Sequence, residues 1–474
     1  MTRLSAAEVQ AGTGGTLVCG AGATLLTGVS IDSRTLLPGD LFFAIRGPRL
    51  DGHRFIAAAL SAGARGVVAE RGYRHPGPFP PECVLIEVDD THGALKALAG
   101  AVRAGWPGTL VAVTGSMGKT TTRRFAAGLL SRAFPVHQAP GNFNNLYGLP
   151  LALTGLEPGH RLGVFEMGMS ASGEIAEMCR IARPDVGILT NVAPVHLEFF
   201  DSVDAIARAK AELAEGLPPD GLLVYNADDK RVADIAARYR GDTISFGLSP
   251  AAEVRAEEIQ VLGPEATRFT LTCPGYRGPV ELPFAGAHFV LDALPGVALG
   301  RRWGMEPETL VAGLRELRPA EMRGGILRFA AGFAVIDDSY NSNPGALMGM
   351  IDTLAEIPCF SRRILVAGEM RELGKESAGL HFECGIFAAR RGVDLVIGVG
   401  GDAAEIVRGG VESGLTGSRF FTDAETAAGF VAECVRPGDL VLIKGSRGVH
   451  MEKIVGNLRS RFPLSQGLSM EKNG

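Results

Sequence analysis

No apolar run in this sequence approaches the ~18 to 20 residues that carry a helix across a bilayer, and the opening MTRLSAAEVQ has no apolar core long enough for a signal peptide. Membrane insertion is therefore not expected, and a cytoplasmic protein is. An excess of charge of one sign is missing too, since 47 lysines and arginines face 52 aspartates and glutamates for a formal charge of −5. That balance gives no reason to expect nucleic acid or an anionic membrane as partner. The seven cysteines, at 19, 83, 179, 273, 359, 384 and 434, are scattered, odd in number and without C-x-x-C spacing, so reduced thiols are the reading. There is no repeat of solenoid period and no long low-complexity segment.

The remainder is ordinary for a soluble globular protein, with 46% apolar and 21% charged residues. A chain of 474 residues is too long for one core and suggests about three domains of roughly 150 residues. The stretch Thr109 to Thr122, TLVAVTGSMGKTTT, organises the rest. Leu110 to Val113 read as a short buried strand, Gly115 and Gly118 free the backbone for a tight turn, and Lys119-Thr120-Thr121 opens a helix. This is a phosphate cradle: N–H groups at a helix N-terminus, a lysine for the β- and γ-phosphates, and the Thr120 hydroxyl as a hard oxygen for Mg²⁺. Val113 stands where the generic G-x-x-x-x-G-K-T loop has its first glycine.

Strand and helix signals alternate through all three parts, which makes this an α/β protein. Residues 1–107 read as a small α/β domain with strands at 40–45, 66–69 and 84–88 and a helix at 55–62. Its polar clusters, Asp32-Ser33-Arg34 and Asp51-Gly52-His53, sit at element ends where ligands of such folds bind; Asp51-Gly52 also reads as a plain turn. Residues 108–320 read as a parallel-sheet ATPase domain with strands at 161–166, 185–191 and 221–226 ending in polar clusters that include Glu166 and His196. A helix from Val203 to Glu215 carries Lys210, which alone reads as an exposed residue, and 252–284 reads as a small antiparallel sheet. Residues 321–474 read as a doubly wound, Rossmann-like domain of five strand-helix alternations. Its strand ends carry 338–341, 368–374 and 444–447, at one edge of one sheet, and without G-x-G-x-x-G a dinucleotide cofactor is disfavoured.

A cradle flanked by two polar domain edges implies that a triphosphate reacts with something the other domains supply. Glu166 and His196 are ligands of the type that hold a second Mg²⁺, offsetting repulsion between a carboxylate nucleophile and the γ-phosphate.

VTGSMGKTT (113–121), GNFNNLYGLPLAL (141–153), EMGMSASGEI (166–175), TNVAPVHLEFFDS (190–202), IDDSYNSNP (336–344), GEMRELG (368–374) and KGSRGVHME (444–452) stand in one order along the chain. Together they resemble the ATP-dependent Mur ligases, and within them the branch that adds D-alanyl-D-alanine to a UDP-N-acetylmuramoyl-tripeptide. The resemblance implies an acyl-phosphate route to a UDP-MurNAc-pentapeptide, with UDP-MurNAc-tripeptide and D-Ala-D-Ala as partners in a cytoplasmic, monomeric enzyme of peptidoglycan synthesis. It implies that Thr114, Gly115, Ser116, Met117, Gly118, Lys119, Thr120 and Thr121 hold ATP with His288, Arg323, Asp338, Tyr340 and Asn341. Thr120, Glu166 and His196 would meet magnesium, and Lys210 would be the lysine that takes up CO₂ as a carbamate. Ser33, Arg34, Asp51, Gly52 and His53 would take the UDP-sugar, and Lys444, Ser446 and Arg447 the dipeptide. One departure stands in Gly286 to Ala293: Phe289 and Asp292 occupy the places of two family asparagines. Another is Ser170-Ala171-Ser172, where many members have Asn-His. The third-residue ligases and folylpolyglutamate synthetase share the scaffold, but the D-N-P-R stretch of the former is absent and the latter would not need the first domain's clusters. An inactive nucleotide-binding paralogue is the alternative outside catalysis; Lys119, Glu166, His196 and Lys210 argue against it.

Overall fold

The computed structural model describes residues 4–47, 50–75, 79–139, 141–195 and 197–465. Each of its three larger sheets draws on one stretch of chain. The first has five strands in the order Thr16–Cys19, Val84–Val88, Gly66–Glu70, Leu41–Phe43, Val29–Ser30, parallel except where Thr16–Cys19 meets Val84–Val88. The predicted helix at 55–62 is a 3₁₀ turn, Gly52–Phe55, that continues as Ile56–Ser61. The Asp51 side chain starts that turn by accepting from the His53 N–H, so the local turn reading holds there.

Helix Thr91–Gly105, capped by Asp90, ties this sheet to the next. Leu95 and Leu98 enter the first core and Ala99 the second. Buried Arg103 anchors the joint by donating to the carbonyls of Ala182, Arg183 and Trp106 and to Asp185 Oδ2 at 2.8 Å. A guanidinium can be buried this way because its donors are matched to acceptors.

The central sheet has nine strands, and the cradle strand Thr109–Thr114 lies between Leu162–Glu166 and Val186–Leu189. The chain leaves this strand in one direction and returns on its other side, so the cradle sits at the switch point where ligands of open α/β sheets bind. Register aligns Glu166 with Val113, and Leu189 with Thr114, which brings Glu166 and the strand end at Thr190-Asn191 to the loop. The expected separate antiparallel sheet is instead an extension of this one. Val254–Gly263 pairs in parallel with Asp242–Gly247 before Ala266–Cys273 and Tyr276–Leu282 fold back antiparallel. Its alternate residues Val254, Ala256, Phe269, Leu271, Val280 and Leu282 need a partner face and find it under helix Ala287–Arg302.

The third sheet has six strands in the order Gly325–Arg328, Ala334–Asp338, Asp439–Lys444, Arg362–Gly368, Leu395–Val399, Arg419–Phe421. Its first strand, a hairpin partner of Ala334–Asp338, adds to the five expected from the sequence; the others are parallel. The three polar strand ends therefore emerge from adjacent strands at one edge. That edge faces the central loop: the Glu198 N–H donates to Glu372 O at 3.2 Å, and Gly345 packs on Met117. All seven cysteines are free thiols, and no helix among the described residues is long and apolar enough to cross a membrane.

Candidate active site

Two glycines shape the cradle. Gly118 has φ +78, the left-handed region a side chain resists, and a Cβ there would collide with Asp292 Oδ1. A Cβ on Gly115 would collide with Thr190 Oγ1. The loop is held from the neighbouring strand end: Asn191 Oδ1 accepts from the Met117 N–H at 2.9 Å, Asn191 O from the Ser116 N–H at 2.9 Å, and Thr190 Oγ1 donates to Met117 O at 2.7 Å. Ser116 Oγ donates to Ala193 O, and buried Thr114 Oγ1 donates to Met167 O at 2.7 Å. Thr114 and Ser116 thus tie the loop to the backbone of the two neighbouring strand ends.

Lys119 opens helix Lys119–Leu130 and folds back so that Nζ donates to Gly115 O at 2.9 Å and Ser116 O at 3.3 Å. Burial of the amine lowers its pKa, Glu166 opposes this, and Arg323 adds to it. Thr120 Oγ1 donates to Glu166 Oε2 at 2.8 Å, and Asn144 Nδ2 to Glu166 Oε1 at 2.7 Å. Arg123, one turn further along the helix, holds its buried Nε 4.0 Å from Glu166 Oε2 with no hydrogen-bond partner among the described residues, and donates to the carbonyls of Ala139 and Gly141. Sequence reasoning does not single out Arg123 or Asn144. The asparagine lies in a conspicuous GNFNN run, but nothing local marks an arginine on an amphipathic helix as inward-facing.

Lys210 is 2% exposed, contrary to its unaided reading as an exposed helix residue. Its pKa is held well below the usual lysine range, first by burial and then by Lys119, and no carboxylate pairs with it among the described residues. His196 lies outside the described residues.

Lys119, Thr120, Asn144, Glu166 and Lys210 line a cavity of 610 Å³ whose far wall belongs to the third sheet's edge: Arg323, Tyr340, Asn341 and Lys444. Arg323 stacks on the Tyr340 ring at 4.1 Å. Lys444 is aligned with Asp338 across two strands and bonds its carboxylate at 2.5 Å and Asn341 O at 2.8 Å. The trio read together as a dipeptide site is split. Lys444 faces the phosphate loop, buried Ser446 accepts from the Arg371 N–H, and Arg447 lies exposed beside Tyr340. A second cavity of 230 Å³ adjoins through Met117, Gly118, Thr121, Arg323 and Lys444, and takes in His288, Phe289, Asp292 and Asp338. Burial pushes His288 down to about 4, and pushes the Asp292 carboxyl up to about 8 against Thr122 and Arg323. Asp292 therefore holds its proton at pH 7 and presents one donor and one acceptor, as a carboxamide does.

The first-domain residues expected to take the UDP-sugar, Ser33, Arg34, Asp51, Gly52 and His53, stand apart from both cavities. Arg34 is spent on Asp32, with 2.6 and 2.9 Å contacts. His53 Nε2 accepts from the Glu70 N–H at 2.9 Å, so Nδ1 carries the proton given to Asp51 at 2.6 Å. Burial raises Asp51, but His53 and Arg46 hold it below the usual range. Gly52 and Ser33 belong to the same turn-rich edge.

Among the described residues no group of three or more His, Cys, Asp or Glu forms a metal cluster. Adjacent hydroxyl and carboxylate oxygens beside a phosphate loop nonetheless fit Mg²⁺, which takes one or two protein oxygens and completes its shell with phosphate and water.

Three family models match the chain: Mur ligase family, catalytic domain, over residues 25–103; Mur ligase middle domain over 113–300; and Mur ligase, glutamate ligase domain, over 322–447. Curated relatives named UDP-N-acetylmuramoyl-tripeptide--D-alanyl-D-alanine ligase include one from Bacillus subtilis (strain 168), 33% identical over 93% of this chain and 95% of its own. Another, from Escherichia coli (strain K12), is 34% identical over 92% of this chain and 94% of its own. A crystal structure of MurF from Acinetobacter baumannii superposes with a TM-score of 0.85 at 31% identity, covering 97% of this chain and 99% of that one. MurF from Thermotoga maritima in complex with ADP superposes with 0.79 at 29% identity, covering 91% and 97%.

Proposed function

The chain belongs to the Mur ligase family, and from that premise we propose how its parts divide the work. It is an ATP-dependent ligase that joins D-alanyl-D-alanine to UDP-N-acetylmuramoyl-tripeptide, giving the pentapeptide precursor of peptidoglycan. Residues 1–107 take the UDP-sugar through the Ser33–Arg34 and Asp51–His53 edge, 108–320 take ATP, and 321–474 take the dipeptide. The enzyme works as a cytoplasmic monomer.

One observation carries this division: Lys119, Thr120, Glu166 and Lys210 of the central domain meet Arg323, Tyr340 and Lys444 of the third around one cavity. Released from Gly115 and Ser116, the Lys119 ammonium turns to the β- and γ-phosphates, and the loop N–H groups complete the cradle. The tripeptide's terminal carboxylate attacks the γ-phosphorus, ADP leaves, and an acyl phosphate forms. The dipeptide amine then adds to the acyl carbon, loses a proton, and phosphate departs from the tetrahedral intermediate. Lys444 and Arg323 stabilise negative charge at this end of the cavity, where low dielectric strengthens them. Holding carboxylate and phosphate in near-attack geometry can supply up to ~7 to 11 kcal/mol. His288, Asp292, Asp338, Tyr340 and Asn341 hold the base and ribose, and Ser446 and Arg447 the dipeptide.

Mg²⁺ would be held by Thr120 and Glu166, with His196 as a further ligand, and when bound supplies charge neutralisation at the phosphates. Lys210 fits a carbamate: burial and Lys119 disfavour its charged form, and its free amine adds to CO₂ with loss of one proton to leave a carbamate anion that would help fix the metal. Steady-state phosphate release with UDP-tripeptide, ATP and D-Ala-D-Ala tests the assignment. Release is expected to require all three, and release indifferent to the dipeptide would overturn it.

A further inference from the structure

The role of Glu174 rests on the ligase reading, in which the tripeptide's terminal carboxylate is the nucleophile. The side chain of the tripeptide's third residue then leaves the same α-carbon and must lie against the wall of the 610 Å³ cavity. At the nucleotide end that wall carries the basic groups Lys119, Arg323 and Lys444. Its described lining holds two carboxylates, Glu166 and Glu174. Glu166 is committed on both oxygens, to Thr120 and Asn144, with Arg123 behind it. Glu174 is not. Its Oε2 accepts from the Ser170 N–H at 2.6 Å and the Ala171 N–H at 3.3 Å, and Oε1 has no partner among the described residues. The lysine of the facing helix, Lys96, is bonded at 2.8 Å to Glu177, one turn further along, and so leaves Glu174 uncompensated. Tyr147, stacked on His92 with centroids 4.0 Å apart, lines the same cavity and adds an aromatic ring to the surroundings of any cation there.

We propose that Glu174 selects a tripeptide whose third residue carries a side-chain ammonium, such as lysine or diaminopimelate, over one that is neutral or acidic. An ammonium on a flexible four-carbon stem forms a charge-assisted hydrogen bond with Oε1, stronger than a neutral pair. An acidic side chain would meet the same carboxylate with like charge. The backbone bonds of Oε2 fix the carboxylate's orientation, so Glu174 acts as a specificity determinant held in place by its own loop.

The test compares UDP-tripeptides ending in lysine and in norleucine, its uncharged near-isostere, on the full chain and on Glu174→Gln, which keeps an acceptor for Ser170 and Ala171. The parent is expected to favour lysine by about tenfold or more in kcat/KM, the equivalent of one charge-assisted hydrogen bond. Glu174→Gln is expected to bring that ratio near one by lowering the lysine value and sparing the norleucine value. An unchanged ratio, or an equal fall for both peptides, overturns the proposal and leaves Glu174 a loop cap. Equilibrium binding of the two UDP-tripeptides without ATP reads the same ratio apart from turnover. Failure of the ligase reading would show as absent phosphate release with either peptide, while the binding ratio would still decide Glu174's role.

Discussion

Replacing Asp292 by asparagine is expected to stabilise the nucleotide-free central domain increasingly as pH rises. In the folded chain the carboxyl titrates at about 8, against an ordinary value of 3.8, because burial disfavours its charge more than Thr122 and Arg323 favour it. Between these values the folded state holds a proton that the unfolded state has released, so stability falls as pH rises through this window and levels off above it. From pH 5 to pH 8, three units at 1.36 kcal/mol per unit, the unscreened change amounts to about 4 kcal/mol. The carboxyl borders a cavity open to water and faces Arg323, so about 2 kcal/mol is the expected change, because polar surroundings screen the charge. Asparagine does not titrate, yet offers the donor and acceptor of the protonated acid. Both tryptophans, Trp106 and Trp303, pack on the central cores, and their fluorescence during urea unfolding reports this domain. The midpoint difference between variant and parent should grow from pH 5 to pH 8. Parallel pH profiles would refute the argument, since every other titrating group is common to both proteins.

Gly118→Ala places a side chain at φ +78 and drives its Cβ into Asp292; a loss of about 1 to 3 kcal/mol and much weaker ADP binding by calorimetry are expected. Arg123→Met frees the carbonyls of Ala139 and Gly141 and removes the cation beside Glu166. That should cost about 3 kcal/mol in urea unfolding and lower kcat more than it changes the KM for ATP. In buffer stripped of CO₂, phosphate release should fall and return on adding bicarbonate, while Lys210→Arg should be slow and indifferent to bicarbonate.

The cradle is readable because its cause is local: an apolar strand, two glycines and Lys119-Thr120 occupy consecutive positions, and the same stretch forms Thr109–Thr114 and the helix from Lys119. Helix Val203–Glu215 and strands Leu395–Val399 and Arg419–Phe421 likewise follow from periodicity over their own lengths. Strand Gly325–Arg328 is not legible in this way because its reason to exist is the edge of Ala334–Asp338 beside it.

Sequence alone thus determined the α/β alternation, the phosphate loop and the order of polar strand ends, since backbone conformation and hydrophobic period are properties of neighbouring residues. Only the tertiary structure decided which polar groups share an environment. Lys210 looks solvated by helical period and is buried, because its face lines the cavity it shares with Lys119. Lys444 finds Asp338, 106 positions away, through strand register, and turns from the neighbouring Ser446 and Arg447 to the phosphate loop. Burial and neighbouring charges shift Asp292 up and Lys119 and Lys210 down, and both depend on contacts between distant segments that no local pattern encodes.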